Sequence, residues 1–328
     1  DINIALPQKA TYNYLEYASI DHSSENVEIN CIVDNEAIIK RYDVYRSENL
    51  ESIDNEITIN YTKIDEVDFN GSSNITYIDN EADINNISYR YKILPVDTCG
   101  VTQVPPPYNS VLYNGDWFAQ TILLNVKKNL NYINTPLEGE FTNTIMFNEY
   151  EKWLGGVSKY ELYRSVNGDS FSMLPLMQWD RINNPDQDLI FIDRVTNEGK
   201  GNGRFCYYVK AIEGLNTPYG PLSDGVYSNI FCVNQTPVVY LPNTFTPNDD
   251  NHNELFMPIT YFISEEGYSF SIYNRQGLVI FHSENPLKGW DGTYKGKQVQ
   301  NGKYVYYFKY LNGDNELIEK TGLVNLVR

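Results

Sequence analysis

The sequence predicts an all-β protein built from three antiparallel β-sandwich domains in tandem. Apolar and polar residues alternate with a period of two in many short segments, and Asn, Gly, Asp and Pro turns separate these segments. No long segment has the apolar spacing of a helix between capping residues. A length of 328 residues gives room for two or three domains, each with its own core. We place the domains at residues 1–118, 119–238 and 239–328.

The first two thirds of the chain contain a repeated sequence. Four pairs of segments recur in the same order: Tyr42-Asp-Val-Tyr-Arg-Ser and Tyr160-Glu-Leu-Tyr-Arg-Ser, Tyr77-Ile-Asp and Phe191-Ile-Asp, Tyr91-Lys-Ile and Val209-Lys-Ala, and Tyr108-Asn-Ser-Val and Tyr227-Ser-Asn-Ile. A period of this length indicates two copies of one domain rather than the short units of a solenoid. Apolar residues alternate from Val27 to Val33 in the first copy and at Ile145 and Phe147 in the second, as in strands with one buried face.

One segment of the second copy connects the repeat with a known domain type. Trp153-Leu-Gly-Gly-Val-Ser-Lys-Tyr-Glu-Leu-Tyr-Arg-Ser resembles the second and third strands of a fibronectin type III-like domain. The first copy has no equivalent Trp. Asp116-Trp-Phe and Thr236-Pro-Val interrupt the pattern near the two predicted boundaries. Because the joint around Pro237 is short, we expect the second and third domains to pack closely.

The third region has a different pattern. Tyr268, Phe270 and Ile272 alternate, a turn containing Gly277 follows, and residues 278–281 form a predicted return strand. Asp291-Gly292 and Asn301-Gly302 are further turn signals. An alternating aromatic series then occupies residues 304–310. These segments predict a compact antiparallel sandwich of six or seven strands.

An ordered series of motifs in this region resembles a known family. It runs from Tyr240-Leu-Pro-Asn-Thr-Phe-Thr-Pro through Gly289-Trp-Asp-Gly to Asn301-Gly-Lys-Tyr-Val-Tyr-Tyr-Phe. The series resembles the gliding-motility-associated C-terminal domain of Bacteroidetes proteins, which is the type B sorting domain of the type IX secretion system. This resemblance implies transit through the periplasm, secretion by the type IX translocon, and a location at the cell surface or outer membrane, or outside the cell.

The resemblance also implies partners and a role. Type B domains depend on an outer-membrane barrel of the PorP/SprF type, and we expect the domain to be retained rather than cleaved. We therefore expect the chain to be the C-terminal part of a gliding-adhesin-like surface protein, in which the first two sandwiches act as spacers. The alternative is an accessory or carbohydrate-binding tail of a secreted polysaccharide-degrading enzyme. The chain opens at Asp1 without an initiator Met or signal peptide, which suggests a fragment or a mature portion.

Two segments of the third region are candidates for partner binding. Trp290 and Asp291 could stack a sugar or dock a partner, or Trp290 could anchor a loop to the core. The terminal segment could form the last strand of the sandwich or pair with the translocon through an accessible edge. The candidate sorting residues are Trp290, Asp291, Gly322, Leu323, Val324, Leu326 and Arg328.

The best candidate for a ligand loop is the segment from Phe245 to Phe256. The resembling family has a pattern close to F-T-P-N-G-D-G-x-N-D-x-F, and Asp249 and Asn251 stand here in place of its two glycines. Carboxylate and amide oxygens suit Ca²⁺, so one interpretation of this loop is a calcium site at Asp250, Asn253 and Glu254. The alternative is a turn in which the same side chains cap backbone N–H groups, and then no cofactor is needed.

The four cysteines are divided equally between the two repeats. We expect one disulfide between Cys31 and Cys99 and another between Cys206 and Cys232, because the members of the second pair fall on adjacent predicted strands. Disulfides would agree with passage through an oxidising compartment, whereas free buried thiols are the alternative.

Composition and motifs exclude several functions. With 25 basic and 43 acidic residues and no basic tract, nucleic acid is an improbable partner. No apolar run has the length of a transmembrane helix. The three histidines are far apart, and no nucleophile elbow, zinc motif or phosphate loop is present, so we do not expect an enzyme. The 28 tyrosines suit half-buried sheet faces, or alternatively a glycan-stacking surface.

Overall fold

The computed structural model describes residues 8–48, 60–107, 117–131 and 140–328. Strands dominate these ranges, and the only helix within them is the 3-10 turn Thr196–Glu198. None of the helical structure in the described ranges has the length and apolar character needed to cross a membrane. The chain opening at Asp1 and the predicted repeat segment at residues 108–111 lie outside the described residues.

The first domain is a sandwich of a three-stranded and a four-stranded sheet. Its strands are β1 (Asn13–Asp21), β2 (Asn26–Val33), β3 (Ile39–Glu48), β4 (Thr62–Asp68), β5 (Asn74–Asp79), β6 (Tyr89–Asp97) and β7 (Ala119–Gln120). The sheet orders are β1-β2-β5 and β4-β3-β6-β7. Along β2 every second side chain from Val27 to Val33 is buried, which confirms the predicted alternation.

The second domain repeats this arrangement. Its strands are β8 (Leu124–Asn131), β9 (Glu140–Phe147), β10 (Val157–Val166), β11 (Met177–Asp180), β12 (Ile190–Arg194), β13 (Arg204–Glu213), β14 (Val226–Tyr227) and β15 (Phe231–Asn234). One sheet has the order β12-β9-β8, and in the other β10 lies between β11 and β13. Both β14 and β15 pair with β13. Each domain therefore has an immunoglobulin-like sandwich topology.

The strand registers correct one detail of the predicted repeat. Arg46 pairs with Tyr91 across β3 and β6, and Arg164 pairs with Tyr207 across β10 and β13. Tyr91 is thus equivalent to Tyr207 and not to Val209, the residue that the sequence comparison had matched with it. The Tyr91-Lys-Ile match was wrong because a two-residue shift preserves the alternation of a strand.

The first two domains share a well-packed junction. The Trp153 indole N–H donates a hydrogen bond of 2.7 Å to the Glu16 carbonyl oxygen. The Tyr14 ring stacks on Tyr219 with 5.2 Å between ring centroids. The strand Ala119–Gln120 pairs with β6 of the first sandwich, although it follows the predicted boundary at residue 118. The domain limits themselves stay predictions.

The third domain contains one five-stranded sheet and two small ones. Its strands are β16 (Val238–Tyr240), β17 (Thr244–Phe245), β18 (Ile259–Tyr261), β19 (Ser269–Tyr273), β20 (Val279–Ser283), β21 (Thr293–Tyr294), β22 (Lys297–Gln298), β23 (Gly302–Leu311) and β24 (Leu317–Leu326). The large sheet has the order β17-β24-β23-β19-β20, and β16-β18 and β21-β22 are two-stranded. The turn before β20 contains Gly277 at φ +79°, as the hairpin pattern predicted.

The second and third domains are joined by an inserted aromatic side chain. Phe262 lies in the third domain's sequence but packs edge-on against Phe141, with ring centroids 4.8 Å apart. Its backbone N–H donates to the Gly199 carbonyl oxygen at 2.8 Å. A Cβ atom at Gly203 would lie 2.6 Å from the Cβ of Phe262, so glycine permits this close approach. The expected close packing of these domains is present.

Candidate functional site

The last strand of the third domain is the first candidate for partner binding. β24 pairs along its whole length with β23, from Leu317 opposite Leu311 to Leu326 opposite Gly302. Its other edge meets β17 only at Asn325 and Leu326, where the pairing is parallel. Within the described part of the chain, no strand covers the outer edge from Leu317 to Val324. This edge therefore presents backbone N–H and C=O groups to a partner.

Side chains along β24 divide between a core face and an exposed face. Val324 and Leu326 are buried, whereas Leu317 and Leu323 are more than half exposed. A Cβ atom at Gly322 would clash with the hydroxyl group of Tyr306, which crosses the strand at that point. The strand is thus fixed from inside while its outer edge and two leucines remain accessible.

Arg328 closes the end of this strand. Its guanidinium group donates to the carbonyl oxygens of Val299 and Gly292, each at 2.8 Å. These contacts tie the segment after β24 to the hairpin of β21 and β22. Since both acceptors are neutral, the positive charge of Arg328 has no carboxylate partner among the described residues.

Trp290 has a structural role, which corrects its selection as a partner-binding residue. The side chain is fully buried, and its ring packs 5.0 Å from Tyr304 and 5.2 Å from Phe245. The indole N–H donates to the Thr293 carbonyl oxygen at 2.9 Å. A buried indole satisfied in this way anchors its loop and cannot stack on an external ligand. Asp291 is exposed, and its Oδ1 caps the backbone N–H of Thr293 at 2.9 Å.

Comparison with known families assigns this domain. Residues 239–326 match the family described as the CHU_C Type IX secretion signal domain. This C-terminal region is a type IX secretion signal domain. Such a signal implies handling by the type IX secretion system and export to the cell surface or the extracellular space. The predicted resemblance is confirmed for this region.

Two solved structures share a distant likeness with the whole chain. No curated protein matches its sequence. A tetra-tandem repeat from the extending region of a large adhesion protein is 9% identical, with 96% of this chain and 74% of that chain covered and a TM-score of 0.28. The FN1–FN3 domains of chicken CNTN1 are 11% identical, with 98% and 99% covered and a TM-score of 0.21. No functional inference follows from scores this low.

The predicted calcium loop of the signal domain is organised by hydrogen bonds. Oε1 of Glu254 accepts the backbone N–H groups of Asp250 and Asn251 at 2.8 and 3.1 Å. Oδ1 of Asp250 accepts the N–H of His252 at 2.8 Å. No group of three or more His, Cys, Asp or Glu side chains that could hold a metal occurs among the described residues. The observed contacts are those of the alternative turn, and Ca²⁺ at Asp250, Asn253 and Glu254 stays a prediction.

The two positions that replace the family's glycines keep a glycine-like backbone. Asp249 has φ +66° and Asn251 has φ +65°, in the left-handed region. Asp and Asn enter this region more readily than other side chains because their short polar groups bond locally. The tight loop is therefore preserved despite the missing glycines.

One of the two expected disulfides forms. Cys206 and Cys232 face each other on β13 and β15 and are bonded. The expected Cys31–Cys99 bond was wrong: both thiols are free. Cys31 points into the core of the first sandwich, where its Sγ donates to Asn13 Oδ1 at 3.1 Å. Cys99 lies in an exposed turn, where its N–H donates to Asp97 Oδ1 at 2.9 Å, so the two sulfurs occupy different environments.

A polar cleft of 530 Å³ lies where the first two sandwiches meet. Tyr17, His22, Asp224 and Tyr227 are among its lining residues. Nε2 of His22 lies 2.7 Å from the Ser228 carbonyl oxygen, and burial lowers the pKa of this imidazole. The ring is therefore neutral at neutral pH and donates through Nε2. Sequence reasoning missed this cleft because its two walls are about 200 residues apart in the chain.

Proposed function

We propose that this chain is the tail of a secreted cell-surface adhesin of a gliding Bacteroidetes cell. In this proposal the first two sandwiches are spacers, and the signal domain directs secretion and anchors the protein at the surface. The observation that carries it is the signal domain at residues 239–326, joined directly to a duplicated sandwich. Phe262 links the signal domain to the second sandwich, so a pull on the surface anchor is transmitted through a packed junction rather than a loose linker.

The proposed partners are the type IX translocon and an outer-membrane barrel of the PorP/SprF type, met after transit through the periplasm. The outer edge of β24 supports docking by strand addition, because a partner strand can bond to its uncovered backbone groups. Leu317 and Leu323 would give that contact an apolar component. We propose that the signal domain is retained, and we assign no catalytic role and no required cofactor to these residues.

A reporter fusion tests whether the signal domain directs export to the cell surface. The full chain, residues 1–328, fused behind a fluorescent protein directed to the periplasm, is expected to bring the fluorescent protein to the cell surface, where added protease digests it. The same fusion ending at residue 238 is expected to stay in the periplasm. Surface display of the shorter fusion would overturn the proposal.

A second pair of variants avoids the damage that truncation does at Phe262. Leu317→Lys with Leu323→Lys places charges along the open edge of β24 and is expected to reduce surface display. Leu278→Lys with Val279→Lys changes two comparably exposed residues at the start of β20, three strands away in the same sheet, and serves as the control. Equal display by both variants would argue against recognition through this edge.

The polar cleft between the first two sandwiches favours a second candidate, the carbohydrate-binding tail of a secreted polysaccharide-degrading enzyme. Tyrosine rings and carboxylates at a domain junction are a common setting for a sugar. A glycan array probed with the full chain should then show binding that Tyr17→Ala and Tyr227→Ala remove. Absence of glycan binding would leave the spacer role.

A further inference from the structure

The signal domain has a basic cleft in an otherwise acidic protein. The cleft has a volume of 330 Å³, and Arg275 and Lys303 are among its lining residues. Leu278, Ile280 and Val299 give it an apolar lining. It lies between the turn before β20 and the start of β23, away from the outer edge of β24.

The positive charges at this cleft are not neutralised within the described structure. Residues 239–328 contain eight of the 25 Lys and Arg residues but only ten of the 43 Asp and Glu residues. No Lys or Arg of this region forms a salt bridge with a described carboxylate, whereas Arg46 and Arg164 in the two sandwiches are both paired with buried aspartates. Charges left open in this way are available to an external anion.

Two arginine side chains, Arg275 and Arg328, lie close to residues that line this cleft. The Arg275 guanidinium group lies across Gly302, where a Cβ atom would be 2.9 Å from its Nη2. Although burial raises the pKa of Tyr304, the positive charges of Arg275 and Arg328 oppose that rise, so both act on its hydroxyl group. Arg328 also donates to the carbonyl oxygen of Val299, a lining residue of the cleft.

We propose that this cleft binds a carboxylate side chain of an acidic segment in a partner protein. The concave shape admits a protruding side chain but not a flat lipid surface. The cationic lining residues Arg275 and Lys303 match a carboxylate, and the apolar lining accepts an adjacent aliphatic side chain. This inference does not depend on the export route proposed above.

Fluorescence anisotropy with the purified full chain tests the site. The probe is a fluorescein-labelled peptide, Glu-Glu-Leu-Glu-Glu, and the comparison peptide has Gln in place of each Glu. We expect the acidic peptide to bind, with an affinity that falls as salt is added. The Gln peptide should bind at least about tenfold more weakly. Equal binding of the two peptides, or no binding of the acidic one, would overturn the proposal.

A charge-matched pair of variants locates the site. Arg275→Gln with Lys303→Gln is expected to weaken binding about tenfold, whereas Lys309→Gln with Lys320→Gln, which removes the same charge elsewhere on the sheet, should change it less than about twofold. Unchanged thermal unfolding shows that both variants are folded. An equal loss of affinity in both variants would overturn the assignment of binding to this cleft. Binding to phosphatidylglycerol vesicles through Arg275 and Lys303, without peptide binding, would assign the cleft to a membrane instead.

Discussion

The Tyr207 hydroxyl donates a hydrogen bond of 2.7 Å to Oδ2 of Asp193 in the interior of the second sandwich. Arg164 pairs with the same carboxylate at 2.9 Å. The first sandwich repeats the arrangement, with Tyr91 2.8 Å and Arg46 2.8 Å from Asp79. Burial, and then the neighbouring aspartate, raises the pKa of each tyrosine, so the hydroxyl stays protonated and donates. The duplicated sequence therefore preserves a buried network and not only a strand pattern.

Removing this donor should destabilise the sandwich. Tyr207→Phe leaves Asp193 with one unsatisfied acceptor site, and we expect the free energy of unfolding to fall by about 1.5–3 kcal/mol. Urea denaturation followed by intrinsic fluorescence measures the change. Tyr307→Phe is the control, because its exposed hydroxyl contacts Glu319 at the surface and its loss should cost less than about 0.5 kcal/mol.

The free cysteines should differ in reactivity. Iodoacetamide applied to the native, unreduced chain is expected to modify Cys99 alone, because Cys31 is buried and its burial raises the pKa of the thiol. Unfolding without reductant should add Cys31, and reduction should then add Cys206 and Cys232. Mass spectrometry counts the modifications at each step. No modification at the first two steps would mean that Cys31 and Cys99 are bonded after all.

The loop of the signal domain should become more stable when glycine is restored. Asp249→Gly and Asn251→Gly relieve positive φ values and remove side chains that form no hydrogen bond with the described residues, so each should raise the free energy of unfolding by up to about 1 kcal/mol. Asn248→Gly, at a position without positive φ, should instead destabilise the loop. Thermal unfolding of the three variants provides the comparison. Destabilisation by all three would contradict the strain argument.

Truncating the inserted aromatic side chain should separate the second sandwich from the signal domain. Phe262→Ala leaves a cavity beside Phe141 and should cost about 3–5 kcal/mol at this junction. Limited proteolysis near residue 238 should become faster, and small-angle scattering should show a broader range of interdomain distances. Tyr240→Ala removes a half-exposed ring from β16, the strand paired with β18, and should leave both readouts nearly unchanged.

The first sandwich should become less stable at low pH, because Asp43 then becomes protonated. Burial alone would raise the pKa of this carboxyl group, but Lys63 at 2.9 Å and Arg41 at 2.8 Å outweigh burial and lower it below its usual 3.8. The stabilisation from ionised Asp43 is therefore fully present above pH 3.8, and it is lost as the pH falls through the lowered pKa. The difference in unfolding free energy between the native chain and Asp43→Asn should be constant near neutral pH and shrink in that acidic range.

Local patterns in the sequence predicted much of the fold. Alternation from Val27 to Val33 identified β2, and the positions of Cys206 and Cys232 on adjacent strands identified their bond. The motifs after Tyr240 identified the signal domain. In each case the information lies within one strand, one strand pair or one ordered set of turns.

Features that depend on long-range placement could not be predicted in the same way. Each of the two repeats contains two cysteines, which suggested one disulfide in each. Cys31, however, is buried in a core, and Cys99 is exposed in a turn. Trp290 beside a turn has the same sequence pattern whether its ring points in or out. Phe262 belongs to one domain and packs in another. The basic cleft joins residues from separate turns, and the sequence signals it only weakly, because residues 239–328 are less acidic than the rest of the chain.

The position of β24 sets an order for the assembly of the signal domain. In the five-stranded sheet β24 lies between β17, near the start of the domain, and β23. A chain that stops before Leu317 therefore has no strand to connect β17 with the rest of the sheet, and Phe245 loses its neighbour Leu326. The folded domain can exist only after synthesis has passed its final strand. Products terminated before Leu317 would therefore lack a folded signal domain, so the fold distinguishes chains that include β24 from chains that stop short of it.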